Sequence, residues 1–133
     1  MRWDLDNNAP LYLQIADKIK LGIVSGHFAP GGRIDSVRDL AEQTGVNPNT
    51  MQRALSKLED ECLLLTNRTS GKFVTEDIQM ITRLKQGLAK QYIEKYISDM
   101  AQAGFSADEA FALLKSEISK GEKEKENAYT GMY

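Results

Sequence analysis

A chain of 133 residues, 41% hydrophobic and 27% charged, has the composition of one globular domain with a short appendage. No apolar run approaches the ~20 residues needed to span a bilayer, and Met1-Arg2-Trp3-Asp4 lacks the apolar stretch of a secretory signal, so a cytoplasmic location with no membrane partner is expected. The single cysteine, Cys62, excludes an intrachain disulfide, and with only one histidine beside it no metal site is expected.

Residues 1–9 are a polar opening in which Trp3 and Leu5 alternate with Arg2, Asp4 and Asp6, a pattern that allows a short edge strand. The first helix is predicted from Pro10, with Leu11, Ile15, Ile19 and Ile23 recurring every four positions and Tyr12 and Ala16 widening the stripe. Gly26 stops it, and Pro30-Gly31-Gly32 turns the chain sharply into Arg33 and Ile34. His27 reads as a surface imidazole and Phe28 as a partly packed ring.

Ser36 with Asp39 resembles a capping arrangement for a second helix that turns Val37, Leu40 and Ala41 inward. Thr44-Gly45 ends it at a corner, where glycine permits a positive φ, and Val46 fills the space between the two helices. Asn47 is a strong N-cap and Pro48 a strong first residue for a third helix running to about Cys62, with Met51, Ala54, Leu55 and Leu58 on its buried face. Cys62 itself is expected to be a buried helix-end residue rather than a redox sensor. Leu63-Leu64-Leu65-Thr66 and Lys72-Phe73-Val74-Thr75 read as paired strands about a turn at Asn67-Arg68-Thr69-Ser70-Gly71.

The resulting order of three helices and a β-hairpin, over residues 1–76, is that of a winged helix-turn-helix. Polar side chains cluster at the start of the third helix: Asn47, Asn49, Thr50, Gln52 and Arg53. Arginine suits bidentate contact with guanine, asparagine and glutamine suit adenine, and a helix N-terminus offers free N–H groups to phosphate. The net charge of −2 counts mildly against nucleic acid, but Arg38, Arg53, Arg68 and Lys72 can gather on one face while Glu59, Asp60 and Glu61 face away. Lys72 would reach a phosphate from the wing.

Residues 77–133 form a helical segment. Ile78, Ile81, Leu84, Leu88, Tyr92, Ile93, Tyr96, Ile97 and Met100 define one long amphipathic helix from about Asp77 to Ala103, ended by Gly104. Ser106 and Glu109 form a capping box for a last helix with Phe111, Leu114 and Ile118 on its stripe; from Gly121 the chain is charged and expected to fray. Two helices of this length cannot enclose a core, so their stripes should pack on each other and on a second subunit. Ile81, Leu84, Leu88, Tyr92, Ile93, Tyr96, Phe111 and Leu114 are the expected dimerisation residues. The whole chain is thus mainly α with a small β wing.

The sequence resembles the GntR family of bacterial transcription regulators. The resemblance rests on Pro10-Leu11-Tyr12 with Gln14-Ile15, then on Gly26 and Pro30-Gly31 with Arg33-Ile34. It continues through Ser36-Val37-Arg38-Asp39-Leu40-Ala41, Gly45 to Ala54, Leu58-Glu59 and Gly71-Lys72-Phe73-Val74. It implies that Arg38 meets phosphate or a base from the helix before the corner. By the same likeness Asn47, Asn49 and Thr50 meet backbone and bases, Gln52 and Arg53 follow one turn on, and Arg68 and Gly71 lie in the minor groove. Two residues depart from the pattern. Asp35 stands where the family has proline, and Cys62 where it has glycine; each could lower stability by about 1 kcal/mol.

The segment from 77 to 133 is too short for the large ligand domains of other branches and resembles the YtrA branch. That likeness implies a dimerising tail and a gene near an ABC-transporter operon. The expected function is a homodimeric repressor on an inverted-repeat operator, with double-stranded DNA as partner. An unidentified small-molecule effector would have to use a groove between the segments or the dimer interface. A rival reading, favoured by the acidic balance, is a winged-helix protein-interaction module that acts through its C-terminal helices without DNA. No Ser-His-acid or Cys-His spacing and no phosphate-cradling glycine loop is apparent, so neither catalytic residues nor a cofactor are expected.

Overall fold

A computed structural model of the chain describes residues 3–130, with side chains to residue 125. Its elements are α1 (Leu11–Val24), α2 (Val37–Thr44), α3 (Pro48–Asp60), β1 (Leu64–Asn67), β2 (Gly71–Val74), α4 (Ile78–Gln102) and α5 (Ala107–Thr130). They divide into two compact units, Met1–Gly87 and Leu88–Tyr133.

The first unit is built on the apolar stripes of its three short helices. Ile15, Ala16, Ile19 and Ile23 of α1 meet Leu40 and Ala41 of α2 and Met51, Ala54, Leu55 and Leu58 of α3 in one core, closed by Ile34, Leu63, Leu64 and Val74. Trp3, Tyr12, Phe28, Val46, Ile81 and Leu84 pack against it from outside. β1 and β2 pair antiparallel, Leu64 opposite Val74 and Asn67 opposite Gly71, so one pair faces the core and the other forms the wing tip. The segment before α2 adds a third edge: Ile34 N–H donates to Lys72 O at 3.0 Å, and Val74 N–H to Gly32 O at 2.9 Å.

The corners are set by local chemistry. Ser36 caps α2 by accepting the Asp39 N–H at 3.1 Å, and Gly45 ends that helix at φ 72°. Asn47 caps α3 by accepting the Asn49 N–H at 2.7 Å, with Pro48 in the first helical position. His27 is exposed and Phe28 half-buried.

Several local expectations are corrected. No strand forms at residues 3–9. The alternation survives, with Trp3 and Leu5 half-buried, but Gln14 ties the segment down: its amide accepts Asp6 N–H at 2.9 Å and donates to Asp6 O at 2.7 Å and Ala9 O at 2.9 Å. One side-chain amide thus occupies backbone groups that a strand partner would have used. Pro10 precedes α1 as its N-cap residue, with a ψ of 126° outside the helical range. α3 ends at Asp60, and Cys62 is exposed, not buried. Its φ of 62° supplies the left-handed turn that glycine usually makes, and Leu63 N–H closes the helix on Leu58 O at 2.9 Å.

The second unit comprises the C-terminal part of α4 and α5. Gly104 turns the chain at φ 93°, and Ser106 and Glu109 form the reciprocal box, with bonds of 3.1 and 3.2 Å. The Ser106 backbone N–H, aided by its side chain, holds the Glu109 carboxyl below its usual range. The Tyr96 hydroxyl donates to Ala110 O at 2.8 Å. Beyond Gly121, where fraying was expected, α5 continues to Thr130; residues 131–133 lie outside the described residues.

Candidate nucleic-acid interface

Two features of α3 place its polar first turn outward. The buried face is taken by Met51, Ala54, Leu55 and Leu58, all fully enclosed. Helical spacing then directs Asn49, Gln52 and Arg53 to solvent, with Thr50 half-exposed between them. Asn47 spends its carbonyl on the cap, which leaves its NH₂ as the outward group. Gln52 donates to Ser56 Oγ at 3.0 Å along the helix.

Arg53 is not loose. Its guanidinium carbon lies 3.8 Å from the centroid of the Tyr12 ring, which projects from the first turn of α1. Together with Pro10, Leu11 and Thr50 they line a groove of about 490 Å³.

A second groove, about 390 Å³, lies between the start of α2 and the wing, lined by Arg33, Ser36, Arg38, Asn67, Arg68, Gly71 and Lys72 among others. Arg38 and Arg68 are exposed there as expected. Arg33 is an addition, overlooked because it was read as part of the turn into α2. Its side chain runs under Gly71, whose φ of 104° favours glycine; a Cβ there would come within 3.1 Å of Nε, so the arginine would have to give by a few tenths of an ångström. The signal was present in the sequence, in a basic residue three positions before the α2 cap Ser36.

The charges divide by residue type. Every ion pair among the described residues uses a lysine: Lys20 and Lys57 meet Glu61 at 3.1 and 3.5 Å, and Lys72 meets Glu59. No arginine of the described residues is in one, so Arg33, Arg38, Arg53 and Arg68 keep their donors for another partner. Lys72 is placed differently from the arginines. Its ammonium is held inward by Glu59 and by Thr66 Oγ1 at 3.1 Å, which ties the wing to α3. Burial pushes the Glu59 carboxyl up, but bonds from Lys72 and Thr66 and the Lys72 charge together bring it below its usual value.

The structure therefore brings Arg38, Arg68, Gly71 and Lys72 to one groove, and Thr50 and Arg53 to another on α3. Of the expected dimerisation residues, Ile81 and Leu84 are half-buried on the first unit's core, whereas Tyr92, Ile93, Phe111 and Leu114 are exposed; Leu88 and Tyr96 are intermediate.

This exposed helix, flanked by arginines and a wing, coincides with a family pattern: residues 11–74 match the profile described as "Bacterial regulatory proteins, gntR family". A GntR family transcriptional regulator from Listeria monocytogenes superposes with a TM-score of 0.78 at 38% identity, covering 84% of this chain and 98% of that one. This chain belongs to the GntR family. Within it the YtrA branch is the fit. The HTH-type transcriptional repressor YtrA of Bacillus subtilis (strain 168) is 31% identical over 87% of this chain and 89% of its own length. The HTH-type transcriptional regulator YhcF of the same organism, itself uncharacterised, is 36% identical over 83% of this chain and 91% of its own. The chain is accordingly a DNA-binding GntR-family transcriptional regulator and not an enzyme. No helix among its described residues is long and apolar enough to cross a membrane.

Proposed function

We propose that the protein is a cytoplasmic homodimeric repressor that places α3 of each subunit in successive major grooves of an inverted-repeat operator. The observation that carries this reading is the outward polar face of α3 beside arginines that are in no ion pair among the described residues. In it Asn49, Thr50, Gln52 and Arg53 meet bases or the adjoining backbone, with the free amide of Asn47 beside them. Arg33, Arg38 and Arg68 meet phosphates across the second groove, and Gly71 lets the wing tip approach the minor groove. Lys72 serves here chiefly to hold the wing, since its charge is already matched.

Dimerisation is assigned to the second unit. Phe111 at 67%, Ile93 at 58% and Tyr92 at 55% exposure are large apolar side chains left open to water, which a partner would cover. The repressor activity of the YtrA relative supports the regulatory sign, and control of an ABC-transporter operon follows from the branch alone. An effector, if the protein takes one, would act by shifting the dimer geometry.

A mobility-shift assay with the upstream region of the protein's own gene, at fixed salt, tests the operator. A retarded complex containing two chains per duplex is expected. A one-to-one complex of equal affinity would overturn the dimer, and sequence-independent retardation would overturn the operator. The reading as a protein-interaction module without DNA binding has no observation in its favour that the family membership does not outweigh.

A further inference from the structure

The placement of Tyr12 bears on how the protein chooses its sequence. Tyr12 is the second residue of α1, half-buried against the core, so its ring is held by packing. Arg53 is its opposite: exposed, four torsions long, and in no ion pair among the described residues. Left to itself such a side chain samples many rotamers, and ordering it on DNA opposes binding. The Tyr12 ring face removes part of that freedom in advance, with the guanidinium carbon 3.8 Å from its centroid. A planar guanidinium stacked on a ring engages through its flat face, and in that geometry its N–H edges stay open for a planar partner. Thr50, one turn earlier on the same face of α3, lines the same groove.

We propose that Tyr12 is a positioning residue for base recognition: its ring holds Arg53 in a preset orientation from which the guanidinium reads the O6 and N7 edge of a guanine. The inference rests on the reading of α3 as the base-contacting helix and adds to it a specificity determinant that lies outside the helix-turn-helix. Affinity and base preference are coupled to α1 through this one contact.

The test uses the full chain and a duplex selected by the wild type from a random library, with affinity and base preference measured at constant salt. Tyr12→Phe keeps the ring and is expected to bind as the wild type does. Tyr12→Leu and Tyr12→Met remove the ring but keep apolar bulk. Both are expected to weaken binding roughly 2- to 5-fold and to flatten the guanine preference at one position per half-site. Melting curves identify any variant that has lost its fold, and the methionine variant stands in should leucine fail. In an Arg53→Ala background, Tyr12→Leu is expected to have no further effect. An equal loss in that background, tighter binding by Tyr12→Leu, or an unchanged base profile would each overturn the proposal. If Arg53→Ala alone leaves affinity and preference intact, the assignment of Arg53 to a base falls, and the role of Tyr12 falls with it.

Discussion

The two units use apolar residues in opposite ways. In the first, Ile15, Met51, Leu55 and Leu58 are wholly enclosed by three short helices and a hairpin. In the second, Ala110 alone is buried among the described residues, while Phe111, Leu114 and Ile118 face solvent. Three helices crossing at angles can surround a centre; two helices joined at a glycine can only present a face. The first unit therefore encloses its own core, whereas the second leaves apolar side chains exposed, the face to which the proposed dimerisation is assigned. This division suits a DNA-binding regulator whose reading head is built on a closed core.

The contrast makes different substitutions fail in different ways. The largest effect is expected in the first core: Leu55→Ala should lose about 2–5 kcal/mol, read by chemical denaturation, because a dry site leaves a cavity. If this loss varied with protein concentration, the first unit would not be self-sufficient. In the second unit, Phe111→Asp combined with Leu114→Asp should leave the helix content intact but weaken self-association by at least about tenfold in sedimentation, since it places charge in the apolar face. An unchanged association constant would remove these residues from the interface.

Smaller effects sharpen the first unit's own construction. Cys62→Gly should stabilise by about 1 kcal/mol, because the backbone already holds the φ of 62° that glycine adopts freely. A lower melting temperature would mean that the cysteine side chain supplies more than the strain removes. The smallest effect concerns Glu59. Its carboxyl is lowered in the fold, so its contribution is present above the ordinary carboxylate pKa and is lost as pH falls through the folded value. Stability of the wild type should thus decline more on acidification than that of Glu59→Gln, by a margin reduced by solvent screening of a partly exposed pair. Parallel pH curves would show that the Lys72 link contributes nothing.

Much of this was legible from residue order because it depends on neighbours in the chain. Ser36, Gly45, Asn47 and Pro48 act within three or four positions of themselves, and their caps and corner stand where spacing put them. The four-residue recurrence from Leu11 to Ile23 likewise gave α1 and its inward face. Gln14 was harder to read. It stood out only as part of a motif, and its work of holding residues 6–9 became apparent once the chain had folded back on α1. Cys62 was misread because a thiol is usually buried, whereas the position is governed by the turn that ends α3.

By itself the sequence determined the succession of elements, the polar first turn of α3 and the arginines around it, since periodicity and capping are short-range and hydrophobic burial selects the inward face. Tertiary structure decided which charges are left over. Lys72 is spent on Glu59 and Arg53 is set on Tyr12 because α1, α3 and the wing converge on one core. Contacts between residues 13 or 41 positions apart, as these are, depend on how helices pack, and no local pattern encodes that.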